Sequence, residues 1–110
     1  MAGFVRGEIV VLPFPFSDLS NSKRRPALVL ADLPGDDIIL CQITSQYAKD
    51  GFAVQIGQSE FKSGALAKLS YIRPNRIFTA DKSIIIKKVA QVKEEILQEI
   101  IETIIDLISK

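Results

Sequence analysis

The stretch KRRPALVLADLPGDDIILCQIT, residues 23–44, decides the fold. PALVLAD (26–32) and IILCQIT (38–44) are both largely apolar, and the LPGDD between them contains the Pro-Gly pair typical of a turn. The stretch therefore predicts two consecutive strands. The second is apolar almost throughout, which predicts a central strand covered on both faces. Three cations, Lys23, Arg24 and Arg25, stand directly before the first strand, and their position needs an explanation.

Further strands are predicted on both sides of this pair. EIVVLPF (8–14) is a β-branched run whose Pro13 cannot donate a ladder hydrogen bond, so its end should lie at a sheet edge or a bulge. The polar loop SDLSNSKRR (17–25) follows it. Later stretches predict shorter strands at 52–56, 66–73, 76–79 and 84–90, separated by loops that include 45–51 and 57–65.

The last eighteen residues follow a different pattern. Apolar residues recur there at three- and four-residue steps, which predicts an amphipathic helix from about Lys93 to Ser109. The stripe comprises Val92, Ile96, Leu97, Ile100, Ile101, Ile104, Ile105 and Ile108. Core packing is its simplest interpretation. The predicted fold class is mainly β with a C-terminal helix, a small, strongly bent antiparallel sheet or partial barrel on which the helix packs.

Composition restricts the class of protein further. At 110 residues with 47% apolar side chains, the chain predicts one globular domain over residues 1–110. The net charge of +1 divides into +4 over residues 1–92 and −3 over 93–110, and the mildly basic body is only a weak indication of a nucleic-acid partner. No apolar run is long enough to span a membrane, and no signal peptide is recognisable, so a cytoplasmic protein is expected.

The missing residue types exclude several chemistries. The chain has no histidine and one cysteine, Cys41, so neither a zinc site of the usual nitrogen and sulfur kind nor a histidine-activated nucleophile is available. Neither a disulfide, a metal nor a cofactor is expected, and Cys41 is read as a small buried hydrophobe. The chemistry that remains uses Arg, Ser, Thr, Tyr, Lys and carboxylates, or the chain catalyses nothing.

Three groups of residues could carry such chemistry. Lys23-Arg24-Arg25 could clamp a phosphate, because arginine presents a planar fork that stays protonated, or it could be a solvated basic turn. Thr44-Ser45-Gln46 could bind phosphate through its hydroxyls, or it could be the polar exit of a buried strand. Arg73 and Arg76, with Asp81-Lys82-Ser83 beyond them, could line a groove or be ordinary surface charge. Phe14, Phe16 and Tyr47 could stack on bases or belong to the core.

Taken together, these segments resemble the MazF/PemK (Kid) toxins of bacterial toxin–antitoxin pairs. The resemblance rests on the order and spacing of GEIVVLPFPF (7–16), RRPALVLAD (24–32), CQITSQ (41–46) and SGALAKLSYIRPNRIFTADKS (63–83). It implies an SH3-like antiparallel barrel of the CcdB/PemK type that forms a homodimer. It also implies a metal-independent endoribonuclease that cuts single-stranded RNA, often mRNA, through its 2′-hydroxyl. The products are a 2′,3′-cyclic phosphate and a 5′-hydroxyl, and a cognate antitoxin blocks the groove.

The resemblance also assigns residues. It makes Arg25 and Thr44 the catalytic pair and places Arg24, Ser45, Gln46, Arg73 and Asn75 at the RNA, with the 17–24 loop bordering the groove. Asp81 is read as structural. PemK-like members often carry Asp, a proposed base, where this chain has Asn75, and an amide cannot accept that proton. Two alternatives therefore stay open: a catalytically inactive RNA- or antitoxin-binding homologue, and a non-enzymatic gyrase inhibitor of the same fold.

Overall fold

The computed structural model describes residues 3–14, 23–46 and 50–110. Within them, seven strands precede one helix, α1 (Glu94–Ile108). The strands are β1 (Glu8–Phe14), β2 (Lys23–Asp32), β3 (Asp37–Thr44), β4 (Val54–Ile56), β5 (Phe61–Gly64), β6 (Ser70–Asp81) and β7 (Lys87–Val92). Short 3-10 helices lie at Gln58–Glu60 and Lys82–Ile84.

All pairings in the sheet are antiparallel, in the order β4-β6-β3-β2-β1-β7-β5. The sheet bends into a nearly closed barrel, and this confirms the predicted fold class. Strands β2 and β3 are neighbours near the middle of the sheet, as the opening stretch predicts. β1 pairs with β7 only as far as Val11, so Pro13 lies past the end of that ladder, where its missing donor costs nothing.

The two faces of the sheet bury separate apolar clusters. One face packs against α1, and Ile43 and Ile72 of the sheet and Ile100 of the helix are fully buried in this cluster. The other face buries a cluster that includes Val10, Leu12, Val29 and Leu40. Because side chains alternate along a strand, burial on both faces explains the continuous apolar runs of β1, β2 and β3.

The C-terminal helix confirms the predicted stripe between Ile96 and Ile104, whereas Val92 belongs to β7 and the stripe's last members, Ile105 and Ile108, are exposed. Leu97 and Ile100 are its buried residues, and Ile96, Ile101 and Ile104 pack against the same cluster. Glu94 and Glu95 occupy the first turn, where the helix dipole favours negative charge. No helix in the described part of the chain has the length and apolarity needed to cross a membrane.

The prediction of separate strands at 66–73 and 76–79 is wrong, because β6 runs without a break from Ser70 to Asp81. Pro74 stands inside it, fully buried. The register of β3 against β6 shifts between Cys41 and Ile43, so the residues around Pro74 lie outside the regular ladder. A proline is tolerated there because no ladder hydrogen bond is required of it.

Two further boundaries differ from prediction. The predicted loop 57–65 contains β5, which pairs with β7 at the sheet edge. The last strand begins at Lys87 rather than residue 84, because Ile84 ends a 3-10 helix in which Asp81 Oδ1 accepts the Ser83 N–H at 2.8 Å. This capping bond agrees with a structural role for Asp81.

Gly64 ends β5 in a conformation that a side chain would disrupt. Its φ is +69°, and a Cβ there would overlap the Val89 carbonyl oxygen and approach Ala90 Cα to 2.7 Å. We expect Gly64→Ala to cost about 2–3 kcal/mol of unfolding free energy, from the left-handed backbone and the overlap together. Gly35→Ala is the control, because Gly35 has φ +94° but nothing within 4 Å of its Cβ, so only the backbone term of about 1 kcal/mol applies. If urea denaturation gives equal losses of unfolding free energy for Gly64→Ala and Gly35→Ala, the overlap at Gly64 costs nothing and the prediction is wrong.

Candidate functional site

The cations before Pro26 lie in β2 rather than in a loop. In the pairing with β1, Arg24 is opposite Pro13 and Arg25 is opposite Leu12. Arg24 is exposed, whereas Arg25 is half-buried. A strand paired along this length fixes the backbone of Arg25, so its guanidinium starts from a defined position.

The register between β2 and β3 places the two predicted catalytic residues at neighbouring strand ends. The ladder ends with Ala27 opposite Gln42, two residues from Arg25 on β2 and two from Thr44 on β3. A continuation of this register by two residues would set Arg25 opposite Thr44, and opposed residues of an antiparallel pair share one face.

Residues opposite Thr44 on the next two strands extend this line of side chains across the sheet. Thr44 is opposite Tyr71 on β6, and Tyr71 is opposite Gln55 on β4. We call Arg25, Thr44, Tyr71 and Gln55 the strand-end row. Tyr71 and Gln55 were not singled out from the sequence. For Gln55 a signal existed, because a polar residue between buried Val54 and Ile56 marks an outward-facing position.

The strand-end row lies on the sheet face away from α1. Ile43 and Ile72, the chain neighbours of Thr44 and Tyr71, belong to the cluster that packs against the helix. Since neighbouring side chains point to opposite faces of a strand, Thr44 and Tyr71 point away from α1. The residues that build the core therefore also fix the direction of this row.

Thr44 begins the loop that leaves β3. Its Oγ1 accepts the Gln46 N–H at 3.1 Å, while Ser45 and Gln46 are exposed. The hydroxyl hydrogen of Thr44 is not used by that bond and can be donated. The start of the loop therefore offers two hydroxyls and an amide at the end of β3.

Arg73 is held by a carboxylate that the sequence analysis missed. Its Nη2 donates to Asp50 Oδ2 at 3.0 Å, and the two side chains are only 20% and 21% exposed. Asp50 Oδ1 also accepts the N–H groups of Phe52 and Ala53, at 3.0 and 3.1 Å. These amide bonds and the guanidinium lower the pKa of Asp50 to about 2. The Asp-Gly pair at 50–51 marked a turn, but the partner 23 residues away could not be read from it.

This pKa predicts how the protein responds to acid. Because the pKa of Asp50 is lower in the folded state than its ordinary 3.8, its contribution to stability is complete above pH 4 and is lost as pH falls towards 2. The wild-type protein should therefore be more stable than Asp50→Asn at pH 6, and this difference should shrink between pH 4 and 2. Urea midpoints across that range measure it. The exposed Asp106→Asn variant reports the effect of removing any one negative charge, and a constant difference for Asp50→Asn would contradict the prediction.

The irregular part of β6 displays Asn75 and Arg76 at the surface, both exposed. Opposite this region, Cys41 Sγ donates to the Arg73 carbonyl at 2.8 Å. Burial raises the pKa of the Cys41 thiol to about 12, so it stays protonated and is not a nucleophile. The prediction that Cys41 is a buried hydrophobe is confirmed.

A cavity of about 450 Å³ opens beside the start of β2. Four of its described lining residues are cations and none is a carboxylate: Arg24, Arg25, Lys68 and Lys87. Its walls also include apolar Val11, Pro26, Ile43 and Val89, and Ser45. A concave site with apolar walls and a cationic rim suits a phosphate-linked polymer whose bases need apolar surface.

The remaining sequence predictions concern metal binding, the aromatic residues and the 17–24 loop. Within residues 3–14, 23–46 and 50–110, no three of the His, Cys, Asp and Glu side chains group in a way that could hold a metal ion. Phe16, Tyr47 and the side chain of Phe14 lie outside the described residues, as does most of the 17–24 loop.

The fold is a small, nearly closed antiparallel barrel with one C-terminal helix. The sequence matches the model of one family, described as PemK-like, MazF-like toxin of type II toxin-antitoxin system, over residues 5–108. The chain belongs to this family. Comparison with curated proteins gives no significant match.

Solved structures share the fold at low identity. MazF (Form-I) from Deinococcus radiodurans aligns with a TM-score of 0.77 and 21% identity, covering 100% of both chains. An endoribonuclease from a mycobacterial species aligns at 0.73 and 17%, covering 99% of this chain and 94% of the other. A mycobacterial endoribonuclease in complex with its cognate antitoxin aligns at 0.74 and 16%, covering 96% and 94%. At these identities the likeness establishes the fold.

Proposed function

We propose that this chain is a toxin endoribonuclease that cleaves single-stranded RNA, mRNA included, at short sequences and without a metal ion. The observation that carries the proposal is the β2–β3 register, whose continuation by two residues would set Arg25 opposite Thr44. The cavity with a cationic rim, which Arg25 and Ser45 line, supports it. Family membership and the solved endoribonucleases of the same fold make this chemistry the one to test first.

The proposed reaction is an internal transfer within the RNA. The 2′-oxygen bonds to phosphorus while its proton passes to solvent water, and the bond from phosphorus to the 5′-oxygen breaks. The products are a 2′,3′-cyclic phosphate and a 5′-hydroxyl. Negative charge collects on the phosphorane oxygens, and a guanidinium and a hydroxyl fixed in place stabilise it.

In this mechanism Arg25 donates a proton and stabilises charge, and Thr44 stabilises charge. Arg25 binds the phosphorane oxygens and gives a proton to the leaving 5′-oxygen, which is more basic than guanidine. Thr44 donates its free hydroxyl hydrogen to the same charge. Asn75 cannot act as a base, so no step depends on it.

RNA contacts are proposed for the residues around this pair. Arg24, Ser45, Gln46 and Asn75 are exposed, so their side chains are accessible to a strand laid across the sheet end. Arg73 is included for its charge, although one of its donors is already given to Asp50. Phosphate contacts of this kind set affinity and salt dependence rather than the site that is cut.

A cognate antitoxin, a homodimer and a cytoplasmic location complete the proposal. Solved MazE–MazF complexes of the same fold support an antitoxin partner. Ile105 and Ile108 on α1 are 54% and 75% exposed, which supports burial of this helix end against a second copy.

The proposal is tested by incubating the purified protein with a long single-stranded RNA in EDTA and mapping the cuts. We expect cleavage at one recurring short sequence, and loss of cleavage when the antitoxin encoded beside the gene is added. Even degradation at all sequences would point to a contaminating nuclease and against the proposal.

Two alternatives correspond to other outcomes. If the protein binds RNA or the antitoxin but never cuts RNA, it is the catalytically inactive binding homologue, the alternative that Asn75 supports. If RNA is untouched and supercoiling by DNA gyrase stops, the chain is a gyrase inhibitor of this fold.

A further inference from the structure

Strands β3 and β4 lie on opposite sides of β6, with which both of them pair. β3 ends at Thr44 opposite Tyr71, and β4 begins at Val54 opposite Ile72. The proposed catalytic threonine and the residues that enter β4 therefore lie beside the same end of β6.

Asp50 ties residues 50–53, the loop that leads into β4, to β6. One carboxylate oxygen accepts the N–H groups of Phe52 and Ala53, which shapes the loop where it enters β4. The other oxygen accepts from Arg73 Nη2, two residues along β6 from Tyr71. Both oxygens are therefore committed, so Asp50 is placed to hold other groups rather than to accept a proton.

The ion pair with Asp50 uses Nη2 of Arg73. The Nε atom of Arg73 is buried and has no hydrogen-bond partner among residues 3–14, 23–46 and 50–110. Two carboxylate oxygens could have met the Nε–Nη2 edge, but the amides of the loop occupy one of them. The geometry of Asp50 thus favours fixing the loop over neutralising the arginine completely.

We infer that Asp50 is a positioning residue for RNA cleavage: through Arg73 it holds residues 50–53 against β6 and so sets the place of Tyr71, and with it Thr44, in the strand-end row. The inference rests on the proposed function, because a position can matter for kcat only if the chain cleaves RNA.

Replacing Asp50 by Asn separates its two tasks. An amide oxygen still accepts the N–H groups of Phe52 and Ala53, but the charge that binds Arg73 is gone. We expect kcat to fall about tenfold while KM changes less than about twofold, because a displaced catalytic group affects the transition state more than binding. If Asp50 acts through Arg73, Arg73→Ala alone and the double variant Asp50→Asn/Arg73→Ala should have the same kcat.

Asp81→Asn is the matched control. Asp81 also accepts a backbone N–H and lies on β6, but at the end opposite Arg73. It should lower the melting temperature without changing kcat. All assays are run well below the melting temperature of each variant, so that unfolded protein does not imitate a lower kcat.

The outcomes separate the two proposals. If the wild-type protein cleaves RNA and Asp50→Asn keeps the full kcat, the positioning role alone is overturned. The same holds if the losses in kcat from Asp50→Asn and Arg73→Ala multiply in the double variant. Absence of any cleavage by the wild-type protein overturns the proposed function, and the positioning role with it.

Discussion

Arg25→Ala is expected to lower kcat for RNA cleavage by about 10²–10³-fold, the usual cost of removing one donor that stabilises transition-state charge. The fold should survive, because Arg25 is only half-buried, stands near the start of β2 and belongs to neither core cluster. Single-turnover cleavage of a fixed RNA measures the loss, and thermal unfolding measures the fold. A structural arginine would instead lower the melting temperature and leave kcat per folded molecule unchanged.

The neighbouring arginine provides the control. Arg24 has the same charge, is exposed, and lies beside Arg25 on the same strand. As a phosphate contact, Arg24→Ala should weaken RNA binding by less than about tenfold at all sequences and leave kcat near its original value. If both variants lose kcat alike, the effect belongs to local positive charge and not to the pairing of Arg25 with Thr44.

Ile100→Ala is expected to have the largest effect on stability, a loss of about 2–5 kcal/mol, because it empties a fully buried site between α1 and the sheet. Ile43 and Ile72 share that cluster and directly neighbour Thr44 and Tyr71 in sequence. A loss of this size is a large fraction of the stability of a small domain. Urea denaturation measures it, and we expect the melting temperature to fall with it.

Glu99→Ala controls for the helix itself. Glu99 precedes Ile100, is exposed, and is replaced by a better helix former, so its unfolding free energy should change by less than about 0.5 kcal/mol. A loss for Ile100→Ala no larger than this would mean that α1 contributes little to the sheet, contrary to the core described above.

The elements with strong apolar patterns could be predicted from the sequence. β1, β3 and α1 appear close to their expected bounds, because the residues that face the core set their periodicity. β5 was missed, since FKSG has no apolar alternation and depends on pairing with β7 and on the left-handed Gly64. The sequence predicts two strands in place of β6 because a proline normally interrupts a ladder. Pro74 is acceptable only because the register is irregular between Cys41 and Ile43.

The candidate site was only partly predictable for a related reason. Arg25 and Thr44 were singled out as residue types at strand ends, but their opposition is a property of the β2–β3 register. Asp50 and Arg73 are 23 residues apart in the chain, and their contact depends on the order of the strands in the sheet. Local sequence carries no record of that order.

The most direct measurement of the central claim is the chemistry of the RNA ends produced in EDTA by the wild-type protein. Attack by the 2′-oxygen predicts fragments with a 5′-hydroxyl, which polynucleotide kinase labels without prior phosphatase, and a 2′,3′-cyclic phosphate on the other end. Fragments that carry a 5′-phosphate, or cleavage that appears only when a divalent metal is added, would contradict a mechanism built on Arg25 and Thr44.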